Sequence, residues 1–125
     1  MYPLSELTGK IIGCAMEVHR QLGSGFQEVI YQRALSLELG MHDIQHEREK
    51  EMPLFYKGHD IGTRRVDFFV EGQVMVEIKA VKELEDVHLA QAINYLEAYK
   101  MEIGLLINFG SKSLTFKRVM KPKKS

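Results

Sequence analysis

Arg64-Arg65-Val66-Asp67-Phe68-Phe69-Val70-Glu71-Gly72-Gln73-Val74-Met75-Val76-Glu77-Ile78-Lys79 reads as a β-hairpin. Its flanks, Arg64–Val70 and Val74–Lys79, are rich in β-branched and aromatic residues, which suit a pleated, half-buried surface. Glu71-Gly72-Gln73 has the length of a three-residue loop, and Gly72 can take the left-handed conformation such a loop uses. Pairing Val70 with Val74 sets Asp67 opposite Glu77 and Arg65 opposite Lys79. Alternation then divides the side chains. Val66, Phe68, Val70, Val74, Val76 and Ile78 share one face and are all apolar. Arg65, Asp67, Phe69, Met75, Glu77 and Lys79 share the other.

Two readings of that second face compete. A half-buried hairpin commonly carries a polar outer face, and an Asp opposite a Glu beside a Lys can be a solvated ion cluster. Directly opposed carboxylates, however, repel one another unless a cation sits between them. Phe69 and Met75 on the same face indicate that it is covered, and covered charges need partners. Two acids can hold a hard cation, and an amine can orient or polarise a water, as a hydrolytic metal site requires.

Outward from the hairpin, the chain alternates helical and extended patterns. Leu7, Ile11, Cys14, Ala15, Val18 and Leu22 recur at helical spacing, which predicts a helix from about Ser5 to Leu22 stopped by Gly23. Ser24 and Gln27 have capping-box spacing for a second helix reaching about Leu39 and ending at Gly40. Ile44 to Tyr56 is an extended, charged segment in which Pro53 favours an edge or a bulge. Lys57-Gly58-His59-Asp60 turns it into the strand that ends at Val70. A third helix is expected from about Glu85 to Tyr99, with Leu89, Ile93 and Leu96 on its apolar stripe. Ile103–Phe109 is a continuous apolar run that suits a strand covered on both faces, and Leu114–Val119 alternates as a last strand. The order α-α-β-β-β-α-β-β places a helix between two strands, so some pairing should be parallel. The fold class is α/β, a mixed central β-sheet flanked by helices.

Composition bounds the function. A chain of 125 residues makes one domain, residues 1–125. Hydrophobic and charged fractions of 45% and 27% are those of ordinary soluble proteins. The single Cys14 excludes an internal disulfide and any multi-cysteine zinc site, and its apolar helical setting marks a small buried hydrophobe. No basic segment followed by a long apolar run opens the chain and no stretch approaches a membrane span, so the expected setting is cytoplasmic and away from membranes. The net charge of zero does not advertise a nucleic-acid binder, but it is unevenly spread. The last nine residues hold Lys117, Arg118, Lys121, Lys123 and Lys124 and no acid, leaving 12 basic against 17 acidic groups elsewhere. This basic tail from about 117 can contact phosphates, and it can equally be a solubilising end.

Other residues could join the hairpin. Glu28 shares a helical stripe with Tyr31 and Leu35, and a carboxylate in a first helical turn also gains simply from the helix dipole. Gln91 and Tyr95, one turn apart, project from one face of the third helix. His19, His42, His46, His59 and His88 show no metal-ligand spacing. Gly23-Ser24-Gly25 is a helix-to-helix turn and not a phosphate loop, and Ser24 has no His/Asp team.

Gly25-Phe26-Gln27-Glu28-Val29-Ile30-Tyr31 is a full GxxExxY motif. Arg65-Val66-Asp67, Glu77-Ile78-Lys79, then Gln91 with Tyr95 follow it in order. Taken together the fragments resemble the GxxExxY family of the PD-(D/E)XK nuclease superfamily, and the likeness runs from about Leu7 to Val119. Val66 stands where the superfamily's name has proline. The resemblance implies a restriction-endonuclease-like core. It also implies Asp67 and Glu77 as metal ligands, Glu28 as a direct or outer member of the carboxylate set, and Lys79 as the residue that positions or activates water. Gln91 and Tyr95 would contact the site or the phosphate. The cofactor it implies is Mg²⁺, replaceable by Mn²⁺, and the partner is nucleic acid, DNA first and RNA second.

That chemistry is coherent without the name. Phosphodiester hydrolysis needs a nucleophile made from water and stabilisation of a dianionic transition state, which a carboxylate-held hard cation and a lysine can supply. Clustered acids should raise at least one carboxylate pKa before metal binds, so divalent metal should stabilise the fold. The rival function is a catalytically inactive nucleic-acid- or protein-binding module that keeps the fold. A purely structural oligomer-forming domain fits the intact Asp67, Glu77 and Lys79 set less well. The small size makes a homodimer one way to lengthen a DNA-binding surface.

Overall fold

The computed structural model describes residues 4–122, so Lys123 and Lys124 of the basic tail lie outside the described residues. Three helices, α1 (Ser5–Leu22), α2 (Glu28–Met41) and α3 (Asp86–Ala98), accompany five strands, β1 (His46–Tyr56), β2 (His59–Val70), β3 (Val74–Lys79), β4 (Ile103–Asn108) and β5 (Thr115–Met120). The strands form one sheet in the order β1-β2-β3-β4-β5. Only β3 and β4 pair in parallel, because only they are joined by a crossover helix. The expected element order and mixed sheet are what the chain adopts.

Each face of the sheet has its own core. Ile11, Ala15, Tyr31, Leu35 and Leu39 of α1 and α2 bury against Phe68, Val70, Val74, Val76, Ile78, Ile103, Leu105 and Ile107. Ala92 and Leu96 of α3 bury against Met75, Leu106 and Val119 on the other face. The apolar run of β4 is therefore covered on both sides, as its lack of alternation predicts. At about 1.5–3 kcal/mol for each fully buried large apolar side chain, these clusters hold the sheet rigid.

Several local expectations are revised. Gly23 stops α1 with a φ of 71° and its N–H on the His19 carbonyl, as expected. Ser24 and Gln27 form no capping box: Gln27 itself is the N-cap of α2 and makes no side-chain cap bond. The connection is held instead by Tyr31, whose hydroxyl donates to the Gly23 carbonyl at 2.6 Å and accepts the Gly25 and Phe26 N–H groups at 2.9 and 3.1 Å. Tyr31 is fully buried and stacks on Phe109, 4.8 Å between centroids. Gly40 does not end α2. The helix runs on to Met41, and the reversal is made by Asp43 at φ 56°, with the Ile44 N–H returning to the Leu39 carbonyl. Lys117 and Arg118 lie within β5, paired with Leu106 and Leu105, so the basic segment does not begin as a tail. The Lys57-Gly58 turn is tighter than expected, since His59 already pairs with Tyr56. Pro53 falls on the edge strand β1, next to an irregularity at Leu54/Phe55.

Beyond β3 the chain is pinned by Asn108, which is fully buried. Its Oδ1 accepts the N–H groups of Val81 and Gly110 at 2.9 and 3.0 Å, and its Nδ2 donates to the Val81 carbonyl at 2.9 Å. A Cβ on Gly110 would stand against the Val81 backbone and 2.6 Å from the Ala80 carbonyl carbon. Gly110→Ala should therefore cost about 2–3 kcal/mol, since two backbones rather than a flexible side chain must move apart. Urea unfolding of the variant checks this, and an unchanged midpoint would show that the two segments can separate freely.

Candidate functional site

The hairpin forms in the expected register, Val70 with Val74, Phe69 with Met75 and Phe68 with Val76. Its loop has Glu71 and Gly72 at φ 53° and 64°, and the Gln73 N–H bonds the Val70 carbonyl. Pairing between β2 and β3 begins only at Phe68, so Asp67 and Glu77 are not a cross-strand pair in the ladder. Asp67 stands where the two strands part. Its Oδ2 accepts the backbone N–H of Ile78 at 2.8 Å, replacing a ladder bond with a side-chain one. On the other side of β2 the pairing skips from Arg48–Phe68 to Lys50–Val66, with Glu49 between them at φ 56°. Both strands thus bend together at Asp67.

The bend shifts the alternation. Val66, expected beside Phe68, packs instead in the α3-side cluster. Arg65, expected opposite Lys79, is exposed and faces Glu49 and Glu51 of β1 at 3.7 and 3.4 Å. Arg64, also exposed, turns toward α3: its Nε donates to the Tyr95 hydroxyl at 2.6 Å, and its guanidinium lies 5.2 Å from the Tyr95 ring centroid. Arg64 was missed because strict alternation assigns it to the wrong side, and only the bend corrects that.

Glu77 is 5% exposed on β3. Burial, then the charge of Asp67 and a hydrogen bond to it, push its carboxyl up to about 9, while Arg64 and Lys79 pull in the opposite direction. Without a cation Glu77 is therefore protonated at neutral pH. Glu28 is exposed at the start of α2, and its carboxyl is also raised, by desolvation and then by Asp67, against the lowering charges of Lys79 and Arg64. Lys79 is half-buried at the end of β3 and forms no salt bridge among the described residues. Gln91 is exposed on α3, and Tyr95, half-buried one turn on, is the member of that pair that reaches Arg64.

One further residue belongs here. Gln32 of α2 is 6% exposed, and its Nε2 donates to Asp67 Oδ1 at 2.8 Å. It stands one turn beyond Glu28 on the stripe that continues through Leu35 and Leu39, a polar residue at i+4 from an acid that the sequence could have flagged. Among the described residues two buried side-chain atoms lack a hydrogen-bond partner, Gln32 Oε1 and Glu77 Oε1. Both belong to side chains that meet Asp67. Leaving a buried oxygen unpaired costs about 1–3 kcal/mol. Among the described residues no three His, Cys, Asp or Glu side chains gather closely enough to hold a metal ion. The donors the site does offer are oxygens, two of them buried and unpaired beside a carboxylate, and that set suits a hard divalent cation completed by water or phosphate. No helix among the described residues is long and apolar enough to cross a membrane.

The family model of the PD-(D/E)XK nuclease superfamily matches residues 5–119. Among solved structures, the crystal structure of SSO0001 is similar at a TM-score of 0.57 and 20% identity, over 78% of this chain and 52% of that one. The chain thus spans about half the length of that structure, and the likeness is one of fold. No curated protein matches the chain.

Proposed function

The chain belongs to the PD-(D/E)XK nuclease superfamily, and from that premise we propose that it is a metal-dependent nuclease hydrolysing phosphodiester bonds in DNA, with RNA as the second candidate substrate. Its Gly25–Tyr31 segment reads GxxExxY, which supports membership of the GxxExxY family within that superfamily. The observation that carries the reading is the meeting of Asp67 and Glu77 where β2 and β3 part, with Lys79 two residues beyond Glu77 and Arg64 charge-coupled to both acids.

Asp67 and Glu77 would hold the metal, Mg²⁺ or Mn²⁺, with Glu28 at the rim as an outer or third carboxylate. When bound, such an ion would supply Lewis-acid activation of water and charge stabilisation of the phosphate. The protein's own residues do the rest. Asp67 is held in place by the Ile78 N–H and by Gln32, so it need not reorganise when substrate arrives. Lys79 places positive charge where negative charge develops on the phosphate and orients the attacking water. Arg64, steadied by Tyr95, supplies a second cation for a phosphate oxygen. Gln91, exposed on the same helix as Tyr95, is placed to meet the substrate from that side. A homodimer would extend the surface available to a duplex.

The test is cleavage of single-stranded DNA, double-stranded DNA and RNA with Mg²⁺, with Mn²⁺ and with chelator. We expect cleavage with either metal, none with chelator, and a higher melting temperature at millimolar metal. Nucleic-acid binding without cleavage under every condition would favour a catalytically inactive binding module. A melting temperature that ignores both metals would remove the metal site itself.

A further inference from the structure

We infer that Gln32 is itself an oxygen donor to the divalent cation, completing through its side-chain carbonyl the set that Asp67 and Glu77 begin. The inference rests on the metal-nuclease reading above and adds a ligand from α2 to two from the sheet.

The amide's orientation is fixed by chemistry. Asp67 Oδ1 accepts a hydrogen bond at 2.8 Å, so the group facing it must be the NH₂ and not the carbonyl. The carbonyl oxygen, Oε1, then points away from that bond, is buried, and finds no donor. A buried amide oxygen without a partner is uncommon in a well-packed helix–sheet interface. Here it recurs in one neighbour, Glu77 Oε1, and the carboxylate between them is Asp67. Two orphaned oxygens on side chains that meet one acid call for a shared positive partner, and neither neighbouring cation hydrogen-bonds to them. Arg64 bonds Tyr95 through Nε, Lys79 is half-buried, and neither makes a hydrogen bond to either orphan.

Glu28 does not fill the role as well. It is exposed, and no three acids of the described residues converge at metal-holding distance. An amide oxygen is a hard, neutral donor of the kind Mg²⁺ and Mn²⁺ accept beside carboxylates. Gln32 also gains from neutrality, because a third buried acid would add repulsion to the Asp67–Glu77 pair. Its N–H group holds Asp67 and its oxygen faces the cation, so one side chain serves both tasks.

The experiment separates the two groups of the amide. Mn²⁺ binding is measured by the loss of the free-ion electron paramagnetic resonance signal for the wild type, Gln32→Met and Gln32→Glu. Gln32→Met keeps length and volume and removes both polar groups; Gln32→Glu keeps oxygen and removes the N–H. We expect Gln32→Met to weaken Mn²⁺ binding about tenfold or more, and Gln32→Glu to bind Mn²⁺ at least as tightly as the wild type. Equal binding by the wild type and Gln32→Met overturns the inference and leaves the metal-nuclease reading standing. Weak binding by Gln32→Glu also overturns it, because the N–H bond to Asp67 would then be what matters. A wild type that binds no Mn²⁺ at millimolar concentration overturns both readings. If Gln32→Met does not fold, Gln32→Glu decides alone, supporting the inference when as tight as the wild type and overturning it when weaker.

Discussion

Changing Glu77 to Gln should make the metal-free protein more stable, and increasingly so as pH rises. The folded Glu77 carboxyl is pushed from 4.5 up to about 9, chiefly by burial and then by Asp67. A group whose pKa is raised on folding contributes stability that is fully present below its unfolded pKa and lost as pH climbs through its folded one. Between about pH 5 and pH 9 the folded state keeps a proton that the unfolded chain has released, so rising pH favours unfolding. The slope from one such group is at most about 1.4 kcal/mol per pH unit. Glutamine keeps the shape and has no proton to lose, which removes that slope. At pH 8 the variant should exceed the wild type by on the order of 3 kcal/mol. Denaturant unfolding of both proteins in chelator at pH 6 and pH 8 measures it, and parallel pH dependences would show that Glu77 is already ionised in the fold. Metal should reverse the ranking: an ion replaces the proton on the wild type, so Mn²⁺ affinity should rise with pH, and the variant should gain little.

Lys79→Ala should abolish most cleavage while leaving Mn²⁺ bound. Lys79 makes no salt bridge among the described residues, and its charge opposes a cation nearby as much as it relieves Glu77 and Glu28. Its removal therefore costs the site little structure. What is lost is a positive charge at the developing phosphoryl charge and a holder for the water, worth about 10²–10³ in rate for one such donor. Single-turnover cleavage and Mn²⁺ affinity should part company, the first falling by that factor and the second staying level or tightening. Retained cleavage would strip Lys79 of the role. Asp67→Ala is a poorer companion test, because Asp67 also accepts the Ile78 N–H, and alanine would leave that amide without its partner. Asp67→Asn keeps an oxygen for the amide and removes the charge, and it should weaken metal binding without unfolding the sheet.

Much of this architecture is legible in the order of residues because it depends on local rules. The α1 boundaries, the β3 boundaries and the Val70–Val74 register follow from helical spacing, alternation and a loop whose Gly72 tolerates positive φ. The failures have particular causes. Ser24 and Gln27 have capping-box spacing, but the Tyr31 hydroxyl reaches the same connection from the core and orders it differently. Gly40 carries a stop signal, yet Asp43 supplies the left-handed turn three residues later. Alternation along Arg64–Val70 breaks at Asp67, which puts Arg64 and Val66 where Arg65 was expected and turns Arg65 to β1.

The amino-acid order by itself determines which residues can do chemistry here: two acids and a lysine at the spacing of one hairpin, an acid and a glutamine on one helical stripe, and the apolar backing that holds them. Those depend on periodicity, which a linear sequence contains in full. Tertiary structure alone decides how the residues act. The parting of β2 from β3 turns Asp67 onto the Ile78 amide and Gln32, and the assembled fold buries Glu77. Desolvation and the direction of a hydrogen bond are properties of surroundings assembled from distant segments. No local pattern specifies that Glu77 holds a proton, that Arg64 turns to Tyr95, or that the Gln32 oxygen is left without a partner.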